Sequence, residues 1–407
     1  MDHKSRSLLW VTFLFLDSDL HKTSRVEILR HLMKQGYDVT LLAAYSHTKP
    51  LSDKIGIRII PIPVKRVPLF SVLILSALLV FLLPFLVLRL RPDFVIVEPY
   101  DGTFLGLIST RVIPSQIRPK MIVDVRSPPV EISGFNGWLH TFCFDAAILI
   151  AKHLLDGLTI ITSMMRREIC SGFHIDPRTV GVWTSGVSTD FFYPAPLDSA
   201  RAKTLREEMG LTGKFVILYH GVLTSKRGVF EAAASLKLLD ARYRQIVLLI
   251  LGKGPAHTAI VEASRKEIEE GRIIFHDPVD YEQIPHYISM CDIGIVPLPD
   301  IPEWRCQCPL NLLECLSMGK VVVATNIPAN REVAGESKCV IYAANAEPRE
   351  FAKAIAYAFD NRNMLHTWGA YCRTIVEKRY AWTQVARNLD RYLSTLGQSH
   401  VPKITLA

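Results

Sequence analysis

The stretch Phe215-Val-Ile-Leu-Tyr-His-Gly-Val-Leu-Thr-Ser-Lys-Arg-Gly228 joins a short apolar run to a loop that contains two glycines. A continuous apolar run of this length is typical of a parallel strand that is buried on both faces. The residues that follow, 230–239, have the apolar spacing of a helix. We therefore interpret the stretch as a strand, a loop and a helix, which is the repeating unit of a doubly wound α/β domain.

The same alternation of strands and helices continues on both sides of this stretch. Upstream, apolar runs predict strands at 8–16, 39–43, 57–62, 94–97, 121–125, 158–162 and 179–182. Downstream, they predict strands at 246–251, 273–275, 293–297 and 321–325, and a helix at 310–317. Prolines at 194 and 196 interrupt the alternation, so the boundary between two domains is placed there.

The predicted fold class is α/β, with two Rossmann-like domains that face each other across a cleft. A chain of 407 residues is long enough for two hydrophobic cores. We assign the first domain to 1–195, the second to 196–380, and a C-terminal crossover helix and tail to 381–407. In open parallel sheets, ligands bind outside the carboxyl ends of the strands.

Charge and cysteine content limit the classes of partner. The net charge of +8 favours an anionic partner such as a phosphorylated donor or a phospholipid surface. We predict no nucleic-acid partner, because no basic stretch is interleaved with aromatic residues. The eight cysteines form no Cys-x-x-Cys pair and are interpreted as reduced thiols of a cytoplasmic protein. Cys306, Cys308 and Cys315 lack a nearby fourth ligand, so no metal site is predicted.

The longest apolar run, 67–88, is interrupted only by two serines and is flanked by basic residues at 65, 66, 89 and 91. About 20 apolar residues can span a bilayer. Spanning is disfavoured here, because it would place strands of one sheet on opposite sides of the membrane. We predict a helix that packs on the sheet and dips its outer face into an anionic membrane surface. Two alternatives remain. The helix is covered by a partner protein or by a hairpin, or it spans the membrane.

The loop at 221–228 is a candidate phosphate site. Backbone N–H groups at a helix N-terminus carry partial positive charge, and Lys226 and Arg227 add full charges beside them. The alternative is a turn with two solvated basic residues. A second glycine-rich turn, with Gly252 and Gly254, follows the strand at 246–251.

Two further segments are candidates for contact with a nucleotide. The segment 277–281 precedes a helix and could line a base pocket through main-chain contacts at Val279, or could simply be a helix entry. Glu314 lies within an apolar helix, where an unpaired carboxylate would be costly. Ribose hydroxyls would be suitable partners, because an ionised carboxylate accepts two hydrogen bonds at once.

Taken in order, these motifs resemble family 4 of the glycosyltransferases, which have the GT-B fold of two Rossmann-like domains. The resemblance rests on the segments 221–228, 252–255, 292–297, 309–320 and 183–187 with Phe192 and Pro194. It implies transfer of a sugar from a nucleotide-diphosphate donor, a UDP- or GDP-sugar, with retention of anomeric configuration. It also implies that no cofactor or metal ion is required. Together with the membrane contact predicted for 67–88, it leads us to expect a glycan or a lipid-linked acceptor.

The resemblance also implies roles for individual residues. Arg227 and Lys226 would hold the donor diphosphate, and Glu314 would hold the ribose. The nucleotide would also lie against Gly221, Gly228, Gly252, Gly254, Val279, Leu310 and Asn311, of which Leu310 and Asn311 would flank the diphosphate.

The first domain would bind the acceptor. Asp124 and Arg126 end a predicted strand and resemble an Asp-x-Arg stretch of some family members, so they could orient the acceptor or the sugar. A buried structural ion pair is the alternative. Cys306 stands where the family often has a glutamate, and Val222 where it often has an arginine. These departures leave open a weakly catalytic subunit that partners an active transferase. A nucleotide-sugar epimerase of similar two-domain architecture is a further alternative.

Overall fold

A computed structural model describes residues 6–15, 22–45, 56–63, 70–99, 102–129, 134–194 and 200–398. The chain divides into two compact units. The first contains Met1–Thr184 together with Trp382–Ala407, and the second contains Ser185–Ala381.

The first unit is built on a seven-stranded sheet with the order β3-β2-β1-β4-β5-β6-β7, and its paired strands are parallel. Its elements are β1 (Arg6–Phe15), α1 (Lys22–Lys34), β2 (Tyr37–Tyr45), β3 (Arg58–Pro63), α2 (Phe70–Leu90), β4 (Phe94–Val97), α3 (Phe104–Ser109), β5 (Lys120–Val125), α4 (Gly134–Leu154), β6 (Gly157–Ile160), α5 (Ser163–Phe173) and β7 (Val180–Val182). Every residue of β4 and β6 is buried, as expected for strands covered on both faces.

The second unit is built on a six-stranded sheet with the order β10-β9-β8-β11-β12-β13, again with parallel pairs. Its elements are α6 (Ala200–Glu208), β8 (Phe215–His220), α7 (Val229–Ser235), β9 (Ile246–Leu251), α8 (His257–Ala263), α9 (Arg265–Glu269), β10 (Ile273–His276), α10 (Ile284–Met290), β11 (Ile293–Val296), α11 (Pro302–Arg305), α12 (Leu310–Ser317), β12 (Val322–Thr325), α13 (Pro328–Ala334), β13 (Val340–Ala343), α14 (Pro348–Asp360) and α15 (Leu365–Arg379). The predicted α/β class with two parallel sheets is confirmed.

A C-terminal helix, α16 (Trp382–Gly397), belongs to the first unit. Its apolar side joins the core that contains Trp10 and Trp183. The Tyr392 hydroxyl accepts a hydrogen bond from Leu158 N (3.1 Å) and donates one to Thr179 O (3.0 Å). A Cβ atom at Gly181 would lie 2.6 Å from the Tyr392 ring, so this helix approaches the backbone of β7 closely.

The segment 185–194, assigned to the first domain from the sequence, groups with the second unit instead. The physical reason is a set of hydrogen bonds to its main chain. Ser317 Oγ and Arg373 Nη1 each donate to Phe192 O at 2.8 Å, and Arg373 Nη2 donates to Thr189 O at 2.9 Å. Residues 195–199, where the boundary was predicted, lie outside the described part of the chain.

The apolar run predicted at 67–88 forms α2, which the structure describes from residue 70 to residue 90. Residues 64–69, including the basic pair at 65 and 66, lie outside the described residues. None of the helices in the described part of the chain combines the length and the apolar composition that crossing a bilayer requires.

Candidate active site

The glycine-rich loops that follow β8 and β9 lie against each other. Leu223 N donates to Lys253 O at 3.0 Å, and Gly221 N donates to Leu251 O at 3.1 Å. A Cβ atom at Gly252 would lie 1.9 Å from Gly221 O, and one at Gly254 would lie 2.2 Å from Leu223 O. These two glycines were predicted to admit a nucleotide. In this structure, the backbone of the neighbouring loop lies in the space that a side chain at either glycine would fill.

Gly228 ends the loop at 221–228 and begins α7. Its φ of 70° lies in the left-handed region, which favours glycine. A Cβ atom there would lie 1.8 Å from Pro297 O, at the end of β11. Both the backbone conformation and the lack of space therefore require glycine, and they fix the loop against the carboxyl end of β11.

The two basic residues of the loop have different surroundings. Arg227 is half-buried and its guanidinium carbon lies 4.9 Å from the centre of the Trp304 ring. Lys226 is exposed, its Nζ lies 3.8 Å from Glu303 Oε1, and its carbonyl accepts a hydrogen bond from Trp304 Nε1 at 2.7 Å. Trp304 therefore holds the backbone of Lys226 and the side chain of Arg227 in place.

A cavity of about 340 Å³ opens beside this loop. It is lined by residues of the loop, of α7 and of the segment 299–303, namely Ser225, Lys226, Gly228, Glu231, Pro299, Ile301, Pro302 and Glu303. The cavity therefore combines charged residues with apolar ones.

Glu314 is buried in α12, with 8% of its surface exposed. Its Oε2 lies 2.8 Å from His220 Nε2, and its Oε1 accepts a hydrogen bond from the Tyr281 hydroxyl at 3.3 Å. Asn311 Nδ2 donates to His220 O at 3.5 Å. The end of β8 and the helix α12 therefore meet around one carboxylate.

Tyr281 belongs to an aromatic group beside Glu314. Its ring stacks on Phe191, with centroids 5.4 Å apart, and meets Phe192 edge to face at 5.6 Å. Val279 lies half-buried two residues earlier, and Leu310 is half-buried at the start of α12.

In the first unit, Asp124 is completely buried at the end of β5. Its Oδ1 accepts hydrogen bonds from Thr159 Oγ1 (2.6 Å) and Trp183 Nε1 (2.8 Å). Burial raises the pKa of the Asp124 carboxyl above its ordinary value, and the nearby Arg126 and Thr159 oppose that rise.

Arg126 lies flat over Trp183, with its guanidinium carbon 3.5 Å from the ring centre, and its Nη1 donates to Trp183 O at 2.7 Å. Only 4% of its surface is exposed. These contacts hold both side chains inside the first unit, against Trp183, and the orientation of an acceptor or a sugar by Asp124 and Arg126 stays a prediction.

Sequence reasoning missed the partners of the predicted residues. His220 and Tyr281 contact Glu314, and Trp304 contacts both basic residues of the loop. His220 had one detectable signal, since it is a polar residue that ends a buried apolar strand. Within the described residues, no cluster of three histidine, cysteine or acidic side chains could hold a metal ion.

Two parallel α/β units, one with glycine-rich loops and a buried carboxylate at its strand ends, define a protein of the Rossmann-like class. Two family models match successive parts of the chain. Residues 23–191 match Glycosyltransferase Family 4, and residues 202–374 match Glycosyl transferases group 1. The chain belongs to this family of glycosyltransferases, which confirms the resemblance described above.

Individual proteins show the same similarity. A putative glycosyltransferase of Bacillus subtilis, YtcC, is 25% identical over 251 residues. That alignment covers 59% of this chain and 61% of the relative, so the chain spans about three fifths of the relative's length.

Solved structures extend the likeness to the whole fold. A glycosyltransferase from Rickettsia africae has a TM-score of 0.75 at 17% identity, covering 97% of this chain and 99% of its own. HepE from Anabaena, solved in complex with UDP, has a TM-score of 0.74 at 14% identity, covering 96% and 100%. The predicted GT-B fold is confirmed.

Proposed function

We propose that this protein moves a sugar from a nucleotide-diphosphate sugar to a membrane-proximal or lipid-linked glycan acceptor, with retention of anomeric configuration. The observation that carries the proposal is the contact of Glu314 with His220, the residue directly before the loop at 221–228, at the carboxyl edge of the second sheet. The donor is a UDP- or GDP-sugar, and the complex of HepE with UDP supports a uridine nucleotide.

Each proposed donor contact has a physical basis. Glu314 accepts two ribose hydroxyls, since an ionised carboxylate forms charge-assisted hydrogen bonds that are stronger than neutral ones. Arg227 and Lys226 neutralise the charge that develops on the departing diphosphate, with the main chain of Gly221, Gly228, Leu310 and Asn311 around it. Val279, Gly252 and Gly254 border the nucleoside, and no metal ion or cofactor is required.

The acceptor is assigned to the first unit and to a membrane surface. Large apolar side chains on the outer side of α2 are exposed, namely Ile74, Leu78, Phe81, Phe85 and Leu88. A helix of a water-soluble domain normally presents polar residues on its outer side. We therefore propose that the protein is peripheral on the cytoplasmic membrane face, with α2 dipping into the headgroups.

A thermal-shift panel of nucleoside diphosphates and nucleotide sugars tests the donor assignment. Selective stabilisation by one base is expected, because a ligand that binds only the folded state raises the unfolding temperature. Product analysis with the selected donor then checks retention and separates transfer from epimerisation, since an epimerase requires no acceptor. An unfolding temperature that no nucleotide in the panel changes would contradict the proposal.

Tyr281→Phe is expected to tighten nucleotide binding by about 2- to 10-fold. The tyrosine hydroxyl donates to Glu314 Oε1 and competes there with the proposed ribose hydroxyl. A typical hydrogen bond contributes about 0.5–1.5 kcal/mol net, which gives this range. Titration calorimetry with the stabilising nucleotide measures the change.

Tyr281→Ala is the matched control, because it also removes the ring that stacks on Phe191. We expect this second variant to bind nucleotide less tightly than Tyr281→Phe does. Weaker binding by Tyr281→Phe than by the unmodified protein would mean that the hydroxyl contacts the nucleotide directly.

A further inference from the structure

The outer side of α4 carries a row of exposed aromatic rings. Phe135, Trp138 and Phe142 are 67%, 61% and 54% exposed. Successive rings of this aromatic row stack on each other, with centroids 5.9 Å and 5.7 Å apart. Exposing three neighbouring large aromatic side chains to water is unfavourable, so the row requires an occupant that removes it from water.

The inner side of α4 is also apolar. Cys143 and Ala147 form a small core with Phe104 of α3, and Leu139 and Ile150 pack against it. These inner contacts fix the orientation of the helix. The aromatic row therefore points outward because the opposite side is held by α3.

The apolar surface continues from α4 across α3 to α2. A Cβ atom at Gly106 of α3 would lie 3.0 Å from the Cβ atom of Leu79, so α3 packs closely on α2. Leu105 of α3 is exposed, as are Phe81 and Phe85 of α2. The result is one surface of three helices, far larger than the isolated apolar residues that are common on soluble proteins.

More of the charged side chains on these three helices are basic than acidic. Within α2, α3 and α4 the single carboxylate is Asp145, whereas Arg89 and Lys152 lie in the last turns of α2 and α4. Arg111 follows α3 directly, and burial together with the neighbouring Arg118 lowers the pKa of its guanidinium. An apolar surface with basic residues at its margin is complementary to anionic lipid headgroups.

We propose that the aromatic row of α4 inserts into the headgroup region of an anionic bilayer and forms, with α2, a single membrane-docking surface. The inference rests on the proposed function only in that the acceptor is membrane-proximal. Because α4 begins after β5, the row lies toward the carboxyl edge of the first sheet, where β5 ends near Arg126. Aromatic rings are enriched at membrane interfaces, where one part is apolar and the rest is near water.

Intrinsic fluorescence tests the insertion of one residue directly. The chain has six tryptophans, and five of them, Trp10, Trp183, Trp304, Trp368 and Trp382, are buried with 8% exposure or less. Trp138 is therefore the tryptophan that a lipid can reach. Vesicles of phosphatidylcholine with phosphatidylglycerol should shift its emission to shorter wavelength, and brominated lipid should quench it.

The matched variants separate insertion from folding. Trp138→Phe should remove the shift and the quenching while the protein still cosediments with vesicles. Phe135→Ser combined with Phe142→Ser should keep the tryptophan but lower cosedimentation at least 5-fold, with an unchanged unfolding temperature. Vesicles of phosphatidylcholine alone, or high salt, should weaken both readouts of the unmodified protein.

Three outcomes would overturn the proposal. Cosedimentation without quenching of Trp138 would restrict docking to α2. A spectral shift that depends on protein concentration without vesicles would assign the row to a second copy of the chain. No effect of anionic vesicles on either readout would exclude the membrane altogether.

The shift in unfolding temperature caused by nucleotide, measured without vesicles, tests the proposed function independently of membrane insertion. The serine variants should retain the full nucleotide shift, because the row lies in the first unit and the proposed nucleotide site in the second. Insertion of Trp138 by a protein that no nucleotide stabilises would refute the proposed function and leave the docking surface standing. Nucleotide stabilisation without insertion of Trp138 would refute the docking surface and leave the proposed function standing.

Discussion

Glu314→Ala should lower kcat/KM for sugar transfer by about 100-fold or more. The variant removes a buried carboxylate that is proposed to accept two ribose hydroxyls. Hydrogen bonds to charged groups contribute about 1.5–3 kcal/mol each, and every 1.4 kcal/mol corresponds to about a factor of ten. Transfer assays with the donor selected by thermal shift measure the loss.

Glu262→Ala is the control for this variant, because Glu262 is an exposed glutamate of α8 in the same unit. It should retain the activity of the unmodified protein. Equal activity of Glu314→Ala and the unmodified protein would refute the role of this carboxylate. Failure of the unmodified protein to transfer any sugar, despite binding nucleotide, would favour the weakly catalytic subunit suggested by Cys306 and Val222.

Gly228→Ala is expected to lower the free energy of unfolding by about 2–5 kcal/mol and to abolish selective nucleotide stabilisation. A left-handed backbone costs a residue with a side chain roughly 1–2 kcal/mol. Overpacking adds typically about 1–3 kcal/mol, here because the new Cβ would lie 1.8 Å from Pro297 O. Relief of this clash has to move either the loop at 221–228 or the end of β11.

Gly213→Ala isolates the backbone contribution. Gly213 has a φ of 75°, close to that of Gly228, but its Cβ would meet nothing within 4 Å. Its loss of stability should therefore be about 1–2 kcal/mol, and nucleotide stabilisation should persist. Denaturant unfolding of the two variants makes the comparison. Equal losses would mean that the contact with Pro297 is relieved without cost.

The strands were predictable because most of them are continuous buried runs, and β4 and β9 begin and end at the predicted residues. The strand β13 was missed. It is only four residues long and lies at the edge of its sheet, where its two central residues are half-buried. The helix α13 was missed as well, since its seven residues are too few to establish a helical period.

Part of the site was predictable because a buried residue of a given type requires a partner of a given kind. A glutamate in an apolar helix has to meet something polar, and Glu314 does so. The identity of its partners was not predictable, because His220 and Tyr281 come from distant parts of the chain. Likewise, the glycines at 252 and 254 indicated a close approach, but the sequence could not specify that a neighbouring loop makes that approach.

The helix α16 makes the first unit discontinuous in the chain, since Trp382–Ala407 joins it after the whole of Ser185–Ala381. On the ribosome, the second unit is complete and can fold before α16 has been synthesised. Until then, the side of the nascent first unit that will receive Val385, Leu389 and Leu393 remains open to water. Domains generally fold in order from the N-terminus during synthesis. In this protein, the unit that contains the N-terminal residues is the last to be completed.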